Sequence, residues 1–372
     1  MAITSPEDQK VTFVELFFDL VFVFSVTQIV KLLNEGHDWI AVGQSILIFW
    51  LVWWTWSQLT WSLNAADTTH PLVELSILIT TGVALFVAVA VPEAFGDRSL
   101  LFAVSYALVR TMGLTLQFFV SLENPSLRQA LRTWIVLSTG GLSAVLIGGI
   151  IGGVAQYWLW GLAILLDIIA AGVSVQAKDW NIHPEHFAER HGLFVIIAIG
   201  ETLTVVAVGV ADAIWTSQLL LVVVLSVAVT GGLWWSYFAR AKPALERALA
   251  SNPGSKRSMI ARDSYSFIHF LMLAGVIAYA TSMEAILVHA AEPLPPAATL
   301  AFALGITLFV GGMAIALWRA TGALALTRVV PMVVMAIAIV LAIGMSTVLV
   351  LAIALTGLVT IGVLEQRVRS PF

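Results

Sequence analysis

The chain has 372 residues, of which 60% are hydrophobic and 11% are charged, and its formal net charge is −4. Its mean hydropathy is +0.97. Soluble domains usually contain about 25% charged residues, so this composition excludes an ordinary soluble domain. The absence of cysteine excludes disulfides, thiolate metal ligands and a cysteine nucleophile. The composition therefore predicts an all-α, polytopic helical membrane protein.

Twelve apolar stretches follow one another along the chain, and each is long enough to cross a hydrocarbon core of about 30 Å. They cover residues 12–33, 39–63, 71–91, 99–121, 133–151, 157–175, 192–211, 218–239, 263–289, 298–318, 325–343 and 347–364. About twelve transmembrane helices are therefore expected. Residues 1–180 would form a first six-helix half. Residues 181–372 would form a cytoplasmic interfacial segment and a second six-helix half, with no separate soluble domain. The first and seventh spans would enter from the same side, as a parallel repeat of the halves requires.

Lysine and arginine are distributed unevenly between the predicted loops. With the N-terminus in the cytoplasm, Lys31 and Arg98 fall outside, Arg110 falls within a span, and the other fifteen fall on the cytoplasmic side. This excess is the positive-inside pattern of multi-pass membrane proteins. It predicts that both termini are cytoplasmic.

The first span, "FVELFFDLVFVFSVTQ" at 13–28, contains two carboxylates. Hydrocarbon penalises a central charged side chain by about 2.5–3.5 kcal/mol, so such residues are candidates for function. Glu15 and Asp19 are four residues apart and share a helical face. Asp19 would lie about 10–12 Å inside the cytoplasmic edge. Glu15 is expected in the headgroup region as a positioning residue.

A second polar cluster, "HPEHFAERHGLFVIIAIGET" at 183–202, leads into the seventh span. Pro184 can open a cytoplasmic interfacial helix in which His186 and Arg190 are i,i+4 partners. Glu201 would lie about 14 Å into the bilayer, near the depth of Asp19. The adjacent Gly200 would allow another backbone to come close.

Two further ionisable residues lie midway along their spans. They are Arg110 in the fourth span and Asp167 in the sixth. Because an unpaired ion there would be costly, Arg110 is expected to pair with Asp19, Glu201 or Asp167. Such a pair would either hold the bundle together or take part in ion or proton handling.

The second polar cluster and the second span also contain residues that could bind a metal or a ligand. The second cluster offers enough zinc ligands in His183, His186, His191, Glu185, Glu189 and Asp179. Their spacing is not His-Glu-x-x-His, and Pro184 interferes with regular ligand geometry, so no metal is predicted.

The Trp-rich second span, "FWLVWWTWSQLTW", indicates aromatic packing between helices or the wall of a site for a flat lipophilic ligand. The pairs Gly148/Gly152 and Gly149/Gly153 predict close helix approach. No Ser-centred elbow or Walker-type loop occurs, so the sequence specifies no catalytic residue and no cofactor.

The segments "ELFFDLVFVFSVTQI" at 15–29 and "ERHGLFVIIAIGET" at 189–202 together resemble the bacterial low temperature requirement A (LtrA) family. The resemblance implies a polytopic protein of the bacterial inner membrane, with no established substrate or reaction. It also implies that the family signature consists of Glu15, Phe18, Asp19, Glu189, Arg190, Gly192, Gly200 and Glu201. At His191 the family often has an aromatic residue instead.

Acids at similar depth on two helices predict a transporter or channel for a cation or a proton-coupled solute. Its ion or proton site would comprise Asp19, Glu201, Glu15, Arg110 and Asp167. A cytoplasmic gate or motif would comprise His186, Glu189, Arg190, Gly192 and Gly200. The alternatives are a membrane-embedded enzyme or lipophilic-ligand binder that uses the His/Glu cluster, and a non-catalytic structural or cold-adaptation protein. The expected partners are the lipid bilayer and a small ion or molecule, and an oligomer is compatible with the sequence. Nucleic acid is not expected, because the basic loop 240–262 carries no interleaved aromatic residues.

Overall fold

A computed structural model describes residues 3–6, 8–36, 38–122, 125–174, 180 and 182–367 of the chain. The regular elements within these ranges are helical. The α-helices are α1 (Phe13–Gly36), α2 (Trp39–Ala65), α3 (Pro71–Ala90), α4 (Ser99–Ser121), α5 (Pro125–Ile151), α6 (Gly153–Ser174), α7 (Pro184–Val210), α8 (Ser217–Ser236), α9 (Lys242–Ser251), α10 (Ser255–Ile260), α11 (Ile268–Val288), α12 (Pro296–Thr321), α13 (Leu326–Leu341) and α14 (Thr347–Arg367). A 3-10 turn, Val91–Glu93, follows α3, and π-helical segments at Tyr237–Ala241 and Ala261–Phe267 precede α9 and α11.

The helices account for the apolar stretches of the sequence. By length and composition, eleven helical segments in the described part of the chain can cross a membrane, and the apolar α13 is shorter. The predicted spans correspond in order to α1–α8 and α11–α14. The prediction of a polytopic helical membrane protein is confirmed, and its environment is therefore a lipid bilayer.

The structure differs from the sequence-based expectation at the start of α7. A separate interfacial helix was expected before a span beginning at residue 192, whereas α7 runs without a break from Pro184 to Val210. Proline suits the first turn of a helix, because its missing N–H would have no intrahelical partner there. His186 and Arg190 are buried, while Glu185 and Glu189 are exposed. The polar cluster is therefore the first part of a long helix with one buried face.

The chain divides into two compact units. The first contains Met1–Leu193 and Leu249–Arg262, and the second contains Phe194–Ala248 and Asp263–Phe372. In the first unit α1 packs on α2 and α3, and α2 packs on α4 and α6. Its core is rich in large side chains, among them Phe18, Phe22, Trp53, Trp56 and Trp160. The division into two six-helix halves at 180/181 stays a prediction.

Glycines bring α5 close to its neighbours in the first unit. A Cβ added at Gly148 would lie 2.9 Å from the Trp160 ring, and one at Gly149 would lie 2.5 Å from the Ala103 Cβ. Gly152 and Gly153 have φ of +67° and +57° and form the junction between α5 and α6. The predicted close helix approach therefore holds at Gly148 and Gly149, whereas the other two glycines provide the turn.

The second unit is built from the last part of α7 and from α8 and α11–α14. Its tightest helix pair is α11 with α12, where a Cβ at Gly275 would lie 2.6 Å from the Gly305 carbonyl oxygen. Arg328, which is fully buried, pairs through Nε with Glu365 Oε1 at 2.8 Å. These contacts hold the helices of the second unit together.

Candidate functional site

The first acid of α1 is held by the residue that caps the helix. Thr12 precedes the helix, and its carbonyl accepts the N–H of Leu16 at 3.2 Å. The Thr12 backbone N–H and hydroxyl both donate to Glu15 Oε2 at 2.9 Å. This Thr-x-x-Glu arrangement supplies one half of a capping box, because the side chain of the fourth residue accepts the first N–H. The local sequence thus orients Glu15 before any other helix contributes.

Arg190 of α7 joins the two acids of α1. Its Nη1 donates to Glu15 Oε1 at 2.6 Å, and its Nη2 donates to Asp19 Oδ1 at 2.5 Å. Its Nε lies 3.3 Å from Asp19 Oδ2, which completes a side-on fork. All three side chains have no solvent exposure. Arg190 supplies the charge that allows Glu15 to be buried, and the expected position of Glu15 at the level of the headgroups stays a prediction.

Trp56 of α2 completes the surroundings of Asp19. The indole N–H donates to Asp19 Oδ1 at 2.7 Å, and the Arg190 guanidinium carbon lies 5.8 Å from the centroid of the Trp56 ring. His191 meets that ring edge-on at 5.0 Å. Its Nδ1 donates to the Phe187 carbonyl at 2.8 Å, which fixes the orientation of the imidazole. One carboxylate therefore accepts hydrogen bonds from α2 and α7 together.

His186 lies one turn before Arg190 and contacts Glu15. Its Nε2 lies 3.1 Å from Glu15 Oε1, and its Nδ1 lies 2.9 Å from the Asn64 amide nitrogen. Because that amide is a donor, Nδ1 accepts and Nε2 carries the proton that points at Glu15. Asn64 also exchanges two hydrogen bonds with the His183 backbone, at 2.8 and 3.2 Å. The end of α2 thus fixes the start of α7.

We call Glu15, Asp19, His186 and Arg190 the acid–base cluster. It contains two carboxylates, one guanidinium and one imidazole, all buried. With a neutral imidazole its net charge is −1, and one added proton makes it neutral. Burying an uncompensated charge is costly. The arrangement can therefore hold a proton and couple its binding to the contact between α1 and α7.

Arg110 and Asp167 form a separate buried pair. Arg110 Nη2 donates to Asp167 Oδ1 at 2.7 Å and lies 3.4 Å from Ser138 Oγ, and the Tyr106 ring centroid is 5.8 Å from the guanidinium carbon. Of the partners expected for Arg110, the structure thus selects Asp167. The Trp54 side chain faces Asp167, whereas Arg110 Nε and Nη1 have no hydrogen-bond partner among the described residues. Each such group costs about 1–3 kcal/mol when buried, and more when charged.

The remaining predicted residues of α7 lie apart from the acid–base cluster. Glu201 is half-buried and follows Arg190 by about three helical turns, or about 16 Å along the axis. Glu189 is exposed, whereas Gly192 is buried. A Cβ at Gly200 would meet nothing among the described residues within 4 Å. The interpretation of Gly200 as a site of close backbone approach was therefore wrong.

The aromatic residues of α2 pack on one another and on their neighbours. Trp54 stacks on Trp134 with ring centroids 6.3 Å apart, Trp134 meets Trp180 at 6.0 Å, and Trp180 meets Trp61 at 5.7 Å. Rings in such direct contact favour aromatic packing between helices over the wall of a ligand site. Within the described residues no group of three or more His, Asp or Glu side chains is arranged to hold a metal ion. Asp179, one of the candidate ligands, lies outside the described residues.

Sequence reasoning missed Trp56, Asn64 and the direct contact between His186 and Glu15. The spacing of the second polar cluster could have predicted that His186 and Arg190 are buried together. Positions 186 and 190 share one helical face, and positions 185 and 189 share another. No sequence pattern singled out the two partners on α2, Trp56 and Asn64. Trp56 is one of several tryptophans in its span, and Asn64 lies at the end of the helix.

Comparisons with known proteins agree with the two sequence blocks that form this site. The chain matches the family described as bacterial low temperature requirement A protein (LtrA) over residues 10–363. It is also 28% identical over 302 residues to an uncharacterized protein of Rhizobium meliloti (strain 1021), covering 76% of this chain and 71% of that protein. No solved structure matches it significantly. The family match covers both α1 and α7 with the acid–base cluster between them, and the chain belongs to the bacterial low temperature requirement A (LtrA) family.

Proposed function

We propose that the protein is a transporter or channel of the bacterial inner membrane that moves protons or a proton-coupled solute, with the acid–base cluster as its proton site. The observation that carries this proposal is the charge of the cluster. Two buried carboxylates face one guanidinium, and the imidazole of His186 bonds to one of them. A proton is the smallest ligand that neutralises such a group.

The hydrogen bonds around both acids favour a proton over a metal cation. Every carboxylate oxygen of Glu15 and Asp19 already accepts a hydrogen bond from Thr12, Arg190, His186 or Trp56. A cation would have to displace these donors and would be repelled by the adjacent guanidinium. An added proton needs no coordination shell, and protonation of a carboxylate weakens its attraction to Arg190.

Protonation would couple the cluster to helix movement. The charged and titratable groups that face one another here are Glu15 and Asp19 from α1 and His186 and Arg190 from α7, and His191 contacts the Trp56 ring. Loss of charge on either acid loosens the contact between α1 and α7 and frees Arg190 to move. In this mechanism Arg190, rather than the exposed Glu189, acts as the gate.

Membrane orientation follows the distribution of basic residues. With both termini cytoplasmic, the start of α1 and the start of α7 lie at the cytoplasmic side. The acid–base cluster would then exchange protons with the cytoplasm first.

Proton flux in proteoliposomes tests the proposal. Purified protein is reconstituted with an internal pH-sensitive dye, and an inward proton gradient is applied with potassium and valinomycin to dissipate charge. Wild-type protein is expected to acidify the lumen, and Asp19→Asn to abolish the signal. Asp263→Asn is the matched control, because its partner Arg319 is about half exposed and outside the cluster. Absence of flux in the wild type, or equal flux in Asp19→Asn, would overturn the proposal.

A further inference from the structure

Asn64 of α2 is held in one orientation by the backbone of His183. Its Oδ1 accepts the His183 N–H at 2.8 Å, and its Nδ2 donates to the His183 carbonyl at 3.2 Å. A backbone N–H can only donate and a backbone carbonyl can only accept, so the amide cannot be turned over without losing both hydrogen bonds. Asn64 Nδ2 therefore presents an N–H to His186 Nδ1, which lies 2.9 Å away.

This contact keeps the imidazole of His186 neutral. A second proton on the ring would have to bind Nδ1, because Nε2 already carries one toward Glu15 Oε1 at 3.1 Å. The N–H groups of His186 and Asn64 would then face each other across 2.9 Å, and both side chains are at most 1% exposed. A buried donor without an acceptor is costly. The added proton of the acid–base cluster therefore has to bind a carboxylate.

Both oxygens of Glu15 already accept two hydrogen bonds. Oε1 accepts from Arg190 Nη1 at 2.6 Å and from His186 Nε2 at 3.1 Å. Oε2 accepts from the backbone N–H and the hydroxyl of Thr12, both at 2.9 Å. A carboxylate offers about four lone-pair positions in all, so a proton on either oxygen would have to displace one of these donors.

Asp19 differs from Glu15 at one of its oxygens. Oδ1 accepts from Arg190 Nη2 at 2.5 Å and from the Trp56 indole at 2.7 Å, whereas the described donor to Oδ2 is Arg190 Nε at 3.3 Å. A proton on Oδ2 leaves both short hydrogen bonds in place and weakens only the longest contact. The charged groups that act on Asp19 are Arg190 and Glu15. Helix α2 has no charged side chain, and the one on α3, Glu74, is exposed.

We propose that the added proton of the acid–base cluster binds Asp19 at Oδ2, and that Asn64 is the positioning residue that keeps this proton off His186. The step forms one O–H bond and changes the charge of the cluster from −1 to zero, while Arg190 keeps its proton. This inference rests on the proton site proposed above and names the atom that receives the proton.

Nitrogen NMR of isotope-labelled histidine tests the role of Asn64. The protein has seven histidines, and the signal that disappears in His186→Gln belongs to His186. In the wild type, Nδ1 of this ring should stay unprotonated throughout the acidification in which the cluster takes up its proton. Asn64→Asp replaces the donor by an acceptor, so both ring nitrogens should be protonated at neutral pH. A doubly protonated His186 in the wild type, or a neutral one in Asn64→Asp, would overturn this role.

Gln44→Glu is the matched control for the added charge. It also places a carboxylate on α2, about 30 Å along the helix from Asn64. The Tyr157 hydroxyl, which lies 2.7 Å from Gln44 Nε2, can donate to that carboxylate. His186 should therefore stay neutral in this variant. A protonated His186 there would show that total charge, rather than the contact with Asn64, decides where the proton binds.

Infrared difference spectra between high and low pH test the assignment to Asp19. A buried carboxylic acid absorbs at a higher frequency than an exposed one, so its carbonyl band is separate from those of surface carboxyls. In the wild type this band should shift when aspartate is isotope-labelled, and it should be lost in Asp19→Asn. A shift with labelled glutamate instead, or no such band while the protein takes up its proton, would overturn the assignment. The labelled wild type gives this answer even if Asp19→Asn does not fold.

Failure of this assignment can be distinguished from failure of the proposed function. Protonation of Asp19 without proton flux in proteoliposomes would leave Asp19 as the proton site and refute only the transport. Proton flux together with a protonated His186 or Glu15 would retain the transport and overturn the assignment to Asp19.

Discussion

Arg190 holds Asp19 side-on, with Nη2 2.5 Å from Oδ1 and Nε 3.3 Å from Oδ2, across a sequence separation of 171 residues. Neither side chain has any solvent exposure. A bidentate, charge-assisted pair of this kind fixes both distance and orientation. It therefore makes the contact between α1 and α7 dependent on the charge of one carboxylate.

Removal of the guanidinium should be strongly destabilising. Arg190→Gln leaves Glu15 and Asp19 buried without their counter-charge, and breaking a buried pair in this way costs about 3–5 kcal/mol. Thermal unfolding in detergent, followed by tryptophan fluorescence, measures the loss. Arg319→Gln breaks a pair whose arginine is 49% exposed and should change stability by about 1 kcal/mol or less. Equal losses of stability in the two variants would show that the buried cluster stabilises the protein no more than an exposed ion pair does.

The two halves of the pair should be coupled. Arg190→Gln alone leaves Glu15 and Asp19 without their counter-charge, whereas the double variant Asp19→Asn with Arg190→Gln leaves only Glu15 without it. The double variant should therefore be more stable than the sum of the single losses predicts, by about 0.5–3 kcal/mol. Chemical denaturation of all four proteins gives this coupling energy. Strict additivity would contradict direct pairing.

The hydrogen bonds between Thr12 and Glu15 should contribute to the stability of α1. Thr12→Val keeps the branched shape but removes the hydroxyl that donates to Glu15 Oε2 at 2.9 Å. Loss of a hydrogen bond to a charged group costs about 1.5–3 kcal/mol. Thr12→Ser retains the hydroxyl and should stay close to the wild type. If Thr12→Ser and Thr12→Val unfold at the same temperature, the hydroxyl has no such role.

The contact between α11 and α12 should tolerate no added methyl group. A Cβ at Gly305 would lie 2.6 Å from the backbone nitrogen of Tyr279, so Gly305→Ala forces the helices apart and should cost about 1–3 kcal/mol. Gly231→Ala on α8 is the control, because its Cβ meets nothing described within 4 Å. That substitution should be neutral or stabilising by up to about 1 kcal/mol. The reverse order of unfolding temperatures would contradict the packing of α11 on α12.

Two of the buried glutamines in the first unit, Gln58 and Gln156, should respond differently to the loss of their amides. Gln156→Leu removes two hydrogen bonds and leaves their acceptors buried, at a cost of about 1–3 kcal/mol. Gln58→Leu removes an amide that has no described partner and should be neutral or stabilising. Unfolding temperatures of the two variants check this. A large decrease in the unfolding temperature of Gln58→Leu would show that the Gln58 amide is hydrogen-bonded in the folded protein.

The sequence predicts the helices well and their contacts poorly. Runs of apolar residues determine which segments can cross a membrane, so the order of spans follows from composition alone. Glu15 and Asp19 share a face because of helical geometry, which is also local. The sequence could not choose the partner of Arg110, because several acids are expected at comparable depths. Only the tertiary packing selects Asp167.

The sequence also does not reveal tertiary partners at the start of α7, where a separate interfacial helix was wrongly expected. Its dense charges suggested an interfacial helix, because a polar segment normally stays in the headgroup region. The acids of α1 reverse this preference by offering Arg190 and His186 partners inside the bundle. A side chain's burial thus depends on residues far away in the sequence. Of positions 185 to 190, only Glu185 and Glu189 are exposed, as expected for one exposed face of a helix.

Proton uptake by the purified protein tests the central claim most directly, because it requires no knowledge of the cargo. Lightly buffered samples of the wild type and of the double variant Glu15→Gln with His186→Gln are acidified in parallel, and the protons bound per chain are counted. The wild type should bind about one proton per chain more than the double variant, because the coupled groups of the cluster titrate as a unit. The exposed groups are the same in both proteins and cancel in the comparison. Equal uptake by two equally folded samples would contradict a proton site between α1 and α7.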